Sequence, residues 1–404
     1  MWRNMKRLIK YYSILVLTAF IIACGQNQNS NISMPDITKI QLPFDDEGMK
    51  MSDVVDSISY ICLETDTTCL IGQIDKFIPL DTILVVVDKE IARSVYLFKQ
   101  NGQFIRRIGN QGGGPEEYLA IEDVTVDPQT REIILLDLRS KRFLIYSFEG
   151  NFVKSIKFDF YVYGIESLGG GKLAGYLSYG NNQNLVKGNS VPASMIYDLN
   201  NEEITSLYCY SNKDISSKSI LNFSTNLISN GKDVKMIMPL NDTIYIVSQT
   251  GVKPVCFLDF GASQKELQKE YIAYLVDNKP NAHIGPKKAD DMGLALLTGG
   301  CFSEQHNFLS YKKGGKTYVT VHNNASGHMK SLQVQGLSSL MSDMDHISLF
   351  IPYAAKGNNM YFMVNPQALL ELSLEKQNEQ TKVLKNSISE ESNPIIAVAK
   401  MKDF

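Results

Sequence analysis

Asp88 and Asp137 are the first residues here whose placement invites chemistry. Each closes an apolar run, Ile83-Leu-Val-Val-Val-Asp88 and Glu132-Ile-Ile-Leu-Leu-Asp137, and the two aspartates lie 49 positions apart. Carboxylates at matching places in a repeated unit can ring a channel mouth and take a cation. The plainer chemistry for such an Asp is a hydrogen bond to the backbone of the turn that follows. A second candidate is Gly112-Gly113-Gly114-Pro115-Glu116-Glu117. Consecutive glycines can aim backbone N–H groups at an anion, but the Lys-Ser/Thr pair of a phosphate-cradling loop is missing and no clear helix opens behind them. The plainer reading is a connecting loop that needs positive φ, with Glu116 and Glu117 as solvated or turn-capping carboxylates. Asp88, Asp137, Gly112, Gly113, Gly114 and Glu116 form the candidate ligand or loop site.

Nothing else assembles into a reaction centre. His283 and Asp290-Asp291 share one segment, and His322 and His328 flank an Asn-Asn turn, neither with metal-ligand spacing. There is no Gly-x-Ser-x-Gly elbow, no repeated Ser-Asp box and no cofactor motif, so no metal or cofactor is expected. After Cys24, five cysteines remain at irregular spacing (Cys62, Cys69, Cys209, Cys256, Cys301), which is not a disulfide framework. A two-residue turn at Thr65-Asp66 would set Cys62 opposite Cys69, either bridged or as two small buried hydrophobes.

The elements that must carry these residues repeat. Val95-Tyr-Leu-Phe-Lys-Gln-Asn-Gly-Gln-Phe-Ile-Arg-Arg-Ile108 returns 48 positions later as Phe143-Leu-Ile-Tyr-Ser-Phe-Glu-Gly-Asn-Phe-Val-Lys-Ser-Ile156. Apolar β-branched runs of four to six residues alternate with Asp, Asn and Gly turns, and Asn101-Gly102 fits a type I′ hairpin. A period near 48 with four short strands per unit is a propeller blade. Six units fit between about residue 55 and the C-terminus. The expected fold is an all-β, six-bladed β-propeller over 37–404. Ile37–Leu42 can form an edge strand, and Ile395–Ala399 can pair with N-terminal strand material to close the ring. One segment breaks the pattern: from Gln264 to Val276, Leu267, Tyr271, Tyr274 and Leu275 share a helical face behind Ser263, a residue able to cap it. A helical insertion at about 263–297 is therefore expected, at a blade edge or as a gate over the channel.

The start of the chain reads as an address. Arg3, Lys6, Arg7 and Lys10 precede a mostly apolar stretch from Tyr11 to Ala23 that is short for a membrane span, and it ends Ile21-Ile-Ala-Cys24. This resembles the lipobox of bacterial lipoproteins, which implies cleavage after residue 23 and lipidation of Cys24. Residues 24–36 then read as a flexible polar tether. The resemblance implies attachment to a membrane through lipid and a cell-envelope location, with the outer membrane as the expected membrane and either the periplasmic or the surface-facing orientation open.

Composition limits the partners. The chain has 40 Lys and Arg against 43 Asp and Glu, and four of the basic residues sit in the leader. A scattered acidic surface excludes the basic stripe that nucleic acid requires. The single tryptophan, Trp2, also lies in the leader, which weakens a glycan-stacking role that the tyrosines could still fill.

Arg107-Ile-Gly-Asn-Gln-Gly-Gly-Gly-Pro-Glu-Glu-Tyr118, followed by a Val-Asp-Pro turn and an aromatic-x-x-x-Gly hairpin, resembles NHL-type repeats. With Tyr60-Ile-Cys-Leu-Glu-Thr65, the helical insertion and Asn393-Pro-Ile-Ile396, the chain resembles the six-bladed β-propeller lipoproteins of Bacteroidetes. The resemblance implies fold and envelope location but no reaction. Asp56-Ser-Ile, Asp66-Thr-Thr, Asp81-Thr-Ile and Asp242-Thr-Ile resemble O-glycosylation acceptors of such envelopes, or are plain turn-into-strand chemistry. The expected function is a non-catalytic scaffold that binds a ligand, an envelope protein or a glycan. The alternative is a propeller hydrolase or lyase acting on glycans or related small substrates, with acid and base drawn from different blades.

Overall fold

Four-stranded antiparallel sheets recur along the chain because each apolar run buries both of its faces between neighbouring sheets. The computed structural model describes residues 37–404 apart from 46, 179–181, 186–190, 211–225, 279–283, 335–339, 342, 350 and 374–377. Blade 1 is Lys76–Pro79, Ile83–Asp88, Ser94–Lys99 and Phe104–Ile108, from the innermost strand outward. Blade 2 repeats it as Asp123–Asp127, Glu132–Asp137, Arg142–Ser147 and Phe152–Lys157. Leu84 to Val87 and Ile133 to Leu136 are fully buried, alternate residues facing opposite neighbours. Blade 3 runs from Gly164–Gly169 to Glu203–Tyr210, blade 4 from Leu227–Ser229 to Gly251–Asp259 and blade 5 from Leu296–Phe302 to Met329–Val334. Six blades form the ring, as the repeat predicts.

Blade 6 closes it with both ends of the chain. Ala354–Lys356, Asn359–Val364 and Ile395–Met401 are C-terminal, while the outermost strand, Val55–Cys62, is N-terminal. Ile58 pairs with Ala399 and Cys62 with Ile395, the expected closure. A second N-terminal contribution is the expected edge strand. Thr38–Gln41 lies parallel to Gly251–Asp259 and makes blade 4 five-stranded. Between these strands the chain crosses the rim of blade 5. There the Phe44 ring meets Tyr311 and Tyr318 edge-on, and the Met49 N–H donates to the Ser331 carbonyl.

Antiparallel pairing places the turns between first and second and between third and fourth strands on one face. The second-to-third connections and the blade crossings lie on the other. The turn face carries short links such as 80–82 and 128–131, and the loop face carries the long ones. Helices Gln264–Asn278 and Ile284–Met292 form the expected insertion between blades 4 and 5. Tyr271 and Leu275 are buried, with Leu267 and Tyr274 packed against them beside Ala289 and Leu294. No described residue of the insertion lines the channel. Helices Pro366–Leu370 and Glu379–Asn386, in the second-to-third connection of blade 6, are additional to the single insertion expected. Each starts on an Asn side chain that accepts a backbone N–H, Asn365 from Gln367 and Asn378 from Thr381.

Three local expectations differ. The turn at Gly102 is not type I′, because only Gly102 has positive φ (87°). The Gly102 N–H instead donates to the Lys99 carbonyl, in a turn closed by the left-handed glycine. A Cβ there would sit 1.9 Å from the Cys62 carbonyl oxygen, so glycine is required twice over. The apolar segment Leu70 to Ile74, whose composition leads one to expect a strand before blade 1, forms a loop. Thr65-Asp66 is no hairpin: Asp66 caps a turn through the Thr68 N–H, and Cys62 and Cys69 are both free thiols.

Candidate functional site

Each innermost strand turns alternate side chains toward the ring axis, and together they wall a cavity of about 900 Å³ that all six blades line. Blades 1 to 3 contribute the ionic part. Lys76 begins the first strand of blade 1, Asp123 that of blade 2, and Glu166 is third in the first strand of blade 3. Lys76 Nζ lies 3.0 Å from Asp123 Oδ1 and 2.8 Å from Glu166 Oε1. The remaining oxygens are also held. Glu166 Oε2 accepts from Thr125 Oγ1 at 3.0 Å, and Asp123 Oδ2 from the Ile165 N–H at 2.8 Å. Burial works against the Lys76 charge, but the two carboxylates outweigh it and hold the ammonium well above the usual lysine range. Burial pushes the Glu166 carboxyl up despite Lys76 beside it. The cluster locks three blades together and places charge in a partly apolar channel. Blades 4 to 6 line the other side with Ile228, Thr298, Gly300, Ala355 and Met363.

The predicted residues lie elsewhere. Asp88 is fully buried and accepts four backbone N–H groups, from Gly72 (2.8 Å), Gln73 (3.0 Å), Ile91 (2.9 Å) and Ala92 (2.9 Å). Asp137, also fully buried, accepts from the Leu119 N–H (2.8 Å), the Ser140 N–H (3.2 Å) and Ser140 Oγ (2.5 Å). Both carboxylates thus pin a blade-crossing loop to the turn after the second strand. Neither lines the channel.

The glycine run forms a closed loop. The Gly112 N–H donates to the Tyr118 carbonyl and the Gly114 N–H to Glu117 Oε2 at 2.8 Å. Glu116 gives its carbonyl to the Tyr146 hydroxyl at 2.7 Å. Gly114 and Glu116, with Arg107, Asn110, Glu117 and Tyr146, edge a smaller cavity of about 410 Å³ between blades 1 and 2. The structure does not bring the aspartates and the glycines into one site.

His322 Nδ1 lies 3.2 Å from Asn324 Oδ1; His306, by contrast, stacks on Phe404 with its Nε2 3.1 Å from the Lys402 carbonyl. His283 and Cys24 fall outside the described residues. Among the described residues no group of three His, Cys, Asp or Glu side chains is placed to hold a metal ion. No described helix is long and apolar enough to cross a membrane.

Sequence reasoning missed Lys76, Asp123 and Glu166. The signal available was a charge inside each short first strand, but only ring closure shows that the three meet. The loop face also collects exposed apolar side chains: Leu70, Ile91, Leu119, Tyr161, Ile351 and Tyr353 all stand in its connections.

These features define a six-bladed propeller with a ligand-sized central channel and an elaborated loop face. Residues 38–400 match the family described as Domain of unknown function (DUF4934), and the chain belongs to that family. No curated protein matches it. Among solved structures, it is similar to an exported-type protein of Bacteroides fragilis NCTC 9343, at a TM-score of 0.71 and 17% identity, covering 91% of this chain and 100% of that one. A member of the DUF4221 family from Bacteroides vulgatus ATCC 8482 gives 0.48 and 12%, over 86% and 97%. The first likeness shows the fold.

Proposed function

We propose that this chain is an envelope-tethered propeller that works without catalysis, seating a ligand in its channel and a protein or glycan partner on its loop face. The observation that carries this reading is the channel: about 900 Å³, walled by every blade, with Lys76, Asp123 and Glu166 paired to one another. A cavity of that size suits a small molecule. Lys76 occupies the space between Asp123 and Glu166, so neither carboxylate is free to act as a base. The exposed apolar side chains of the loop face suit a macromolecular partner. The tether through Cys24 belongs to this proposal.

One observation favours the second reading, a hydrolase or lyase. Glu166 is a buried carboxyl with a raised pKa beside a second carboxylate, the pairing from which an acid and a base are made. A thermal-shift screen of the chain without its leader, against glycans, peptides and divalent metals, tests both. A ligand at 100 times its dissociation constant adds about 2.7 kcal/mol to stability. The binding reading expects a shift without product formation. Product that disappears in Glu166→Gln would replace it with the enzyme.

A further inference from the structure

We propose that the loop-face half of the central channel binds an organic cation, an ammonium or amidinium group carried on an apolar body. This rests on the channel being the ligand seat. The cavity marks the site, and its charge selects the ligand. Asp75, Lys76 and Glu166 line this end of the cavity, and Asp123 shares the Lys76 ammonium with Glu166, so three carboxylates accompany one cation. Asp75 makes no ion pair among the described residues. Its oxygens take neutral donors, Gln73 Nε2 at 2.5 Å and the Lys89 backbone N–H at 2.6 Å. The balance is negative whether Glu166 is ionised or protonated.

The remaining charges in the wall, Lys232 and Asp233, belong to the turn face, where Lys232 meets Glu304 at 3.6 Å. Across from the carboxylates, blades 4 to 6 offer no charged side chain at the loop-face end, only groups such as Ile351, Ala355 and Met363. A negative site against a low-dielectric wall attracts cations more strongly than the same charges would on an open surface. Tyr353 stands at the rim, 37% exposed, and burial followed by the charge of Asp75 holds its phenol above the ordinary range. A ring beside an unpaired carboxylate offers a cation both a π face and a counter-charge.

The probes are 2-phenylethylammonium, its anionic counterpart 3-phenylpropionate and neutral 2-phenylethanol, which share a ring and similar length. Saturation-transfer NMR on the intact chain near neutral pH reads millimolar binding. The expected result is affinity for the ammonium about tenfold above that for the carboxylate, a difference of about 1.4 kcal/mol. Asp75→Asn should weaken it about fivefold, with the unfolding midpoint confirming the fold. If that variant does not fold, Tyr353→Ala on the rim is expected to give the same loss. Equal or tighter binding of the carboxylate or the alcohol overturns the cation and leaves the channel as a ligand seat. No transfer from any probe also overturns the cation, and the wider screen then decides the channel.

Discussion

Lys76 and Glu166 come from blades that are not neighbours, yet their charged ends meet at 2.8 Å. Blade 2 lies between them and joins the contact through Asp123, 3.0 Å from the same ammonium. The three side chains are largely shielded, at 15%, 16% and 8% exposure for Lys76, Asp123 and Glu166.

Removing the cation should therefore cost more than removing a surface pair. Lys76→Met leaves two carboxylates facing each other in the channel and is expected to destabilise the fold by ~3–5 kcal/mol. Adding Glu166→Gln should recover part of that loss. Urea unfolding of the single and double variants measures both, and additive losses would contradict the coupling.

Asp242 should make stability depend on pH. It sits under the first helix of the insertion, accepting from Gln264 Nε2 at 3.3 Å and Gln268 Nε2 at 2.8 Å. Burial raises its pKa from 3.8 to about 6. A folded pKa above the unfolded one favours the protonated form in the fold. Its contribution is full below about pH 4 and is lost as pH rises through 6, an effect of ~3 kcal/mol. Asp242→Asn should flatten this part of the stability profile between pH 4 and 7. Parallel profiles for the two proteins would sink the assignment.

Asp88 should behave as a structural group. Asp88→Ala leaves four backbone donors without their acceptor and is expected to destabilise by ~3–5 kcal/mol. Calcium should not shift the unfolding midpoint of the parent protein through this residue. A calcium-dependent shift that vanishes in the variant would restore the cation-ring reading.

The rim strap should contribute as much as a blade strand. Ile40, Leu42 and Met49 are buried, at 1%, 3% and 6% exposure. Starting the chain at Lys50 instead of Ile37 is expected to lower stability by several kcal/mol, at ~1.5–3 for each side chain lost. Equal unfolding midpoints for the two forms would show that the strap is dispensable.

Glycines can be sorted the same way. Gly102→Ala should be strongly destabilising, because its φ is 87° and the new Cβ meets the Cys62 carbonyl. Gly113→Ala should stay within about 0.5 kcal/mol, since nothing lies within 4 Å of its Cβ position and no positive φ is required there. Thermal unfolding of the two variants gives the comparison.

The sequence by itself determined the blades, their number and the ring closure, because these follow from local periodicity. Ile83–Asp88 and Glu132–Asp137 recur at a set spacing, so strand, turn and unit length could be read before any fold was known. The aspartates ending those runs were legible as repeated features. Only the structure shows their oxygens filled by the amides of Gly72, Gln73 and Leu119. The degenerate blades were harder. Asp242–Val247 with Val255–Asp259 has the pattern of an inner strand and the next one, yet Thr243–Ser248 and Gly251–Asp259 are the third and fourth strands of blade 4, outside Leu227–Ser229 and Val234–Met236, which are only three residues long. The channel chemistry was decided by tertiary structure alone. Lys76 and Asp123 open equivalent strands of neighbouring blades while Glu166 is third in its own, and nothing in the linear pattern announces the meeting of the three charges. It arises because a closed ring turns the first strand of every blade toward one axis, where charges 90 residues apart become neighbours.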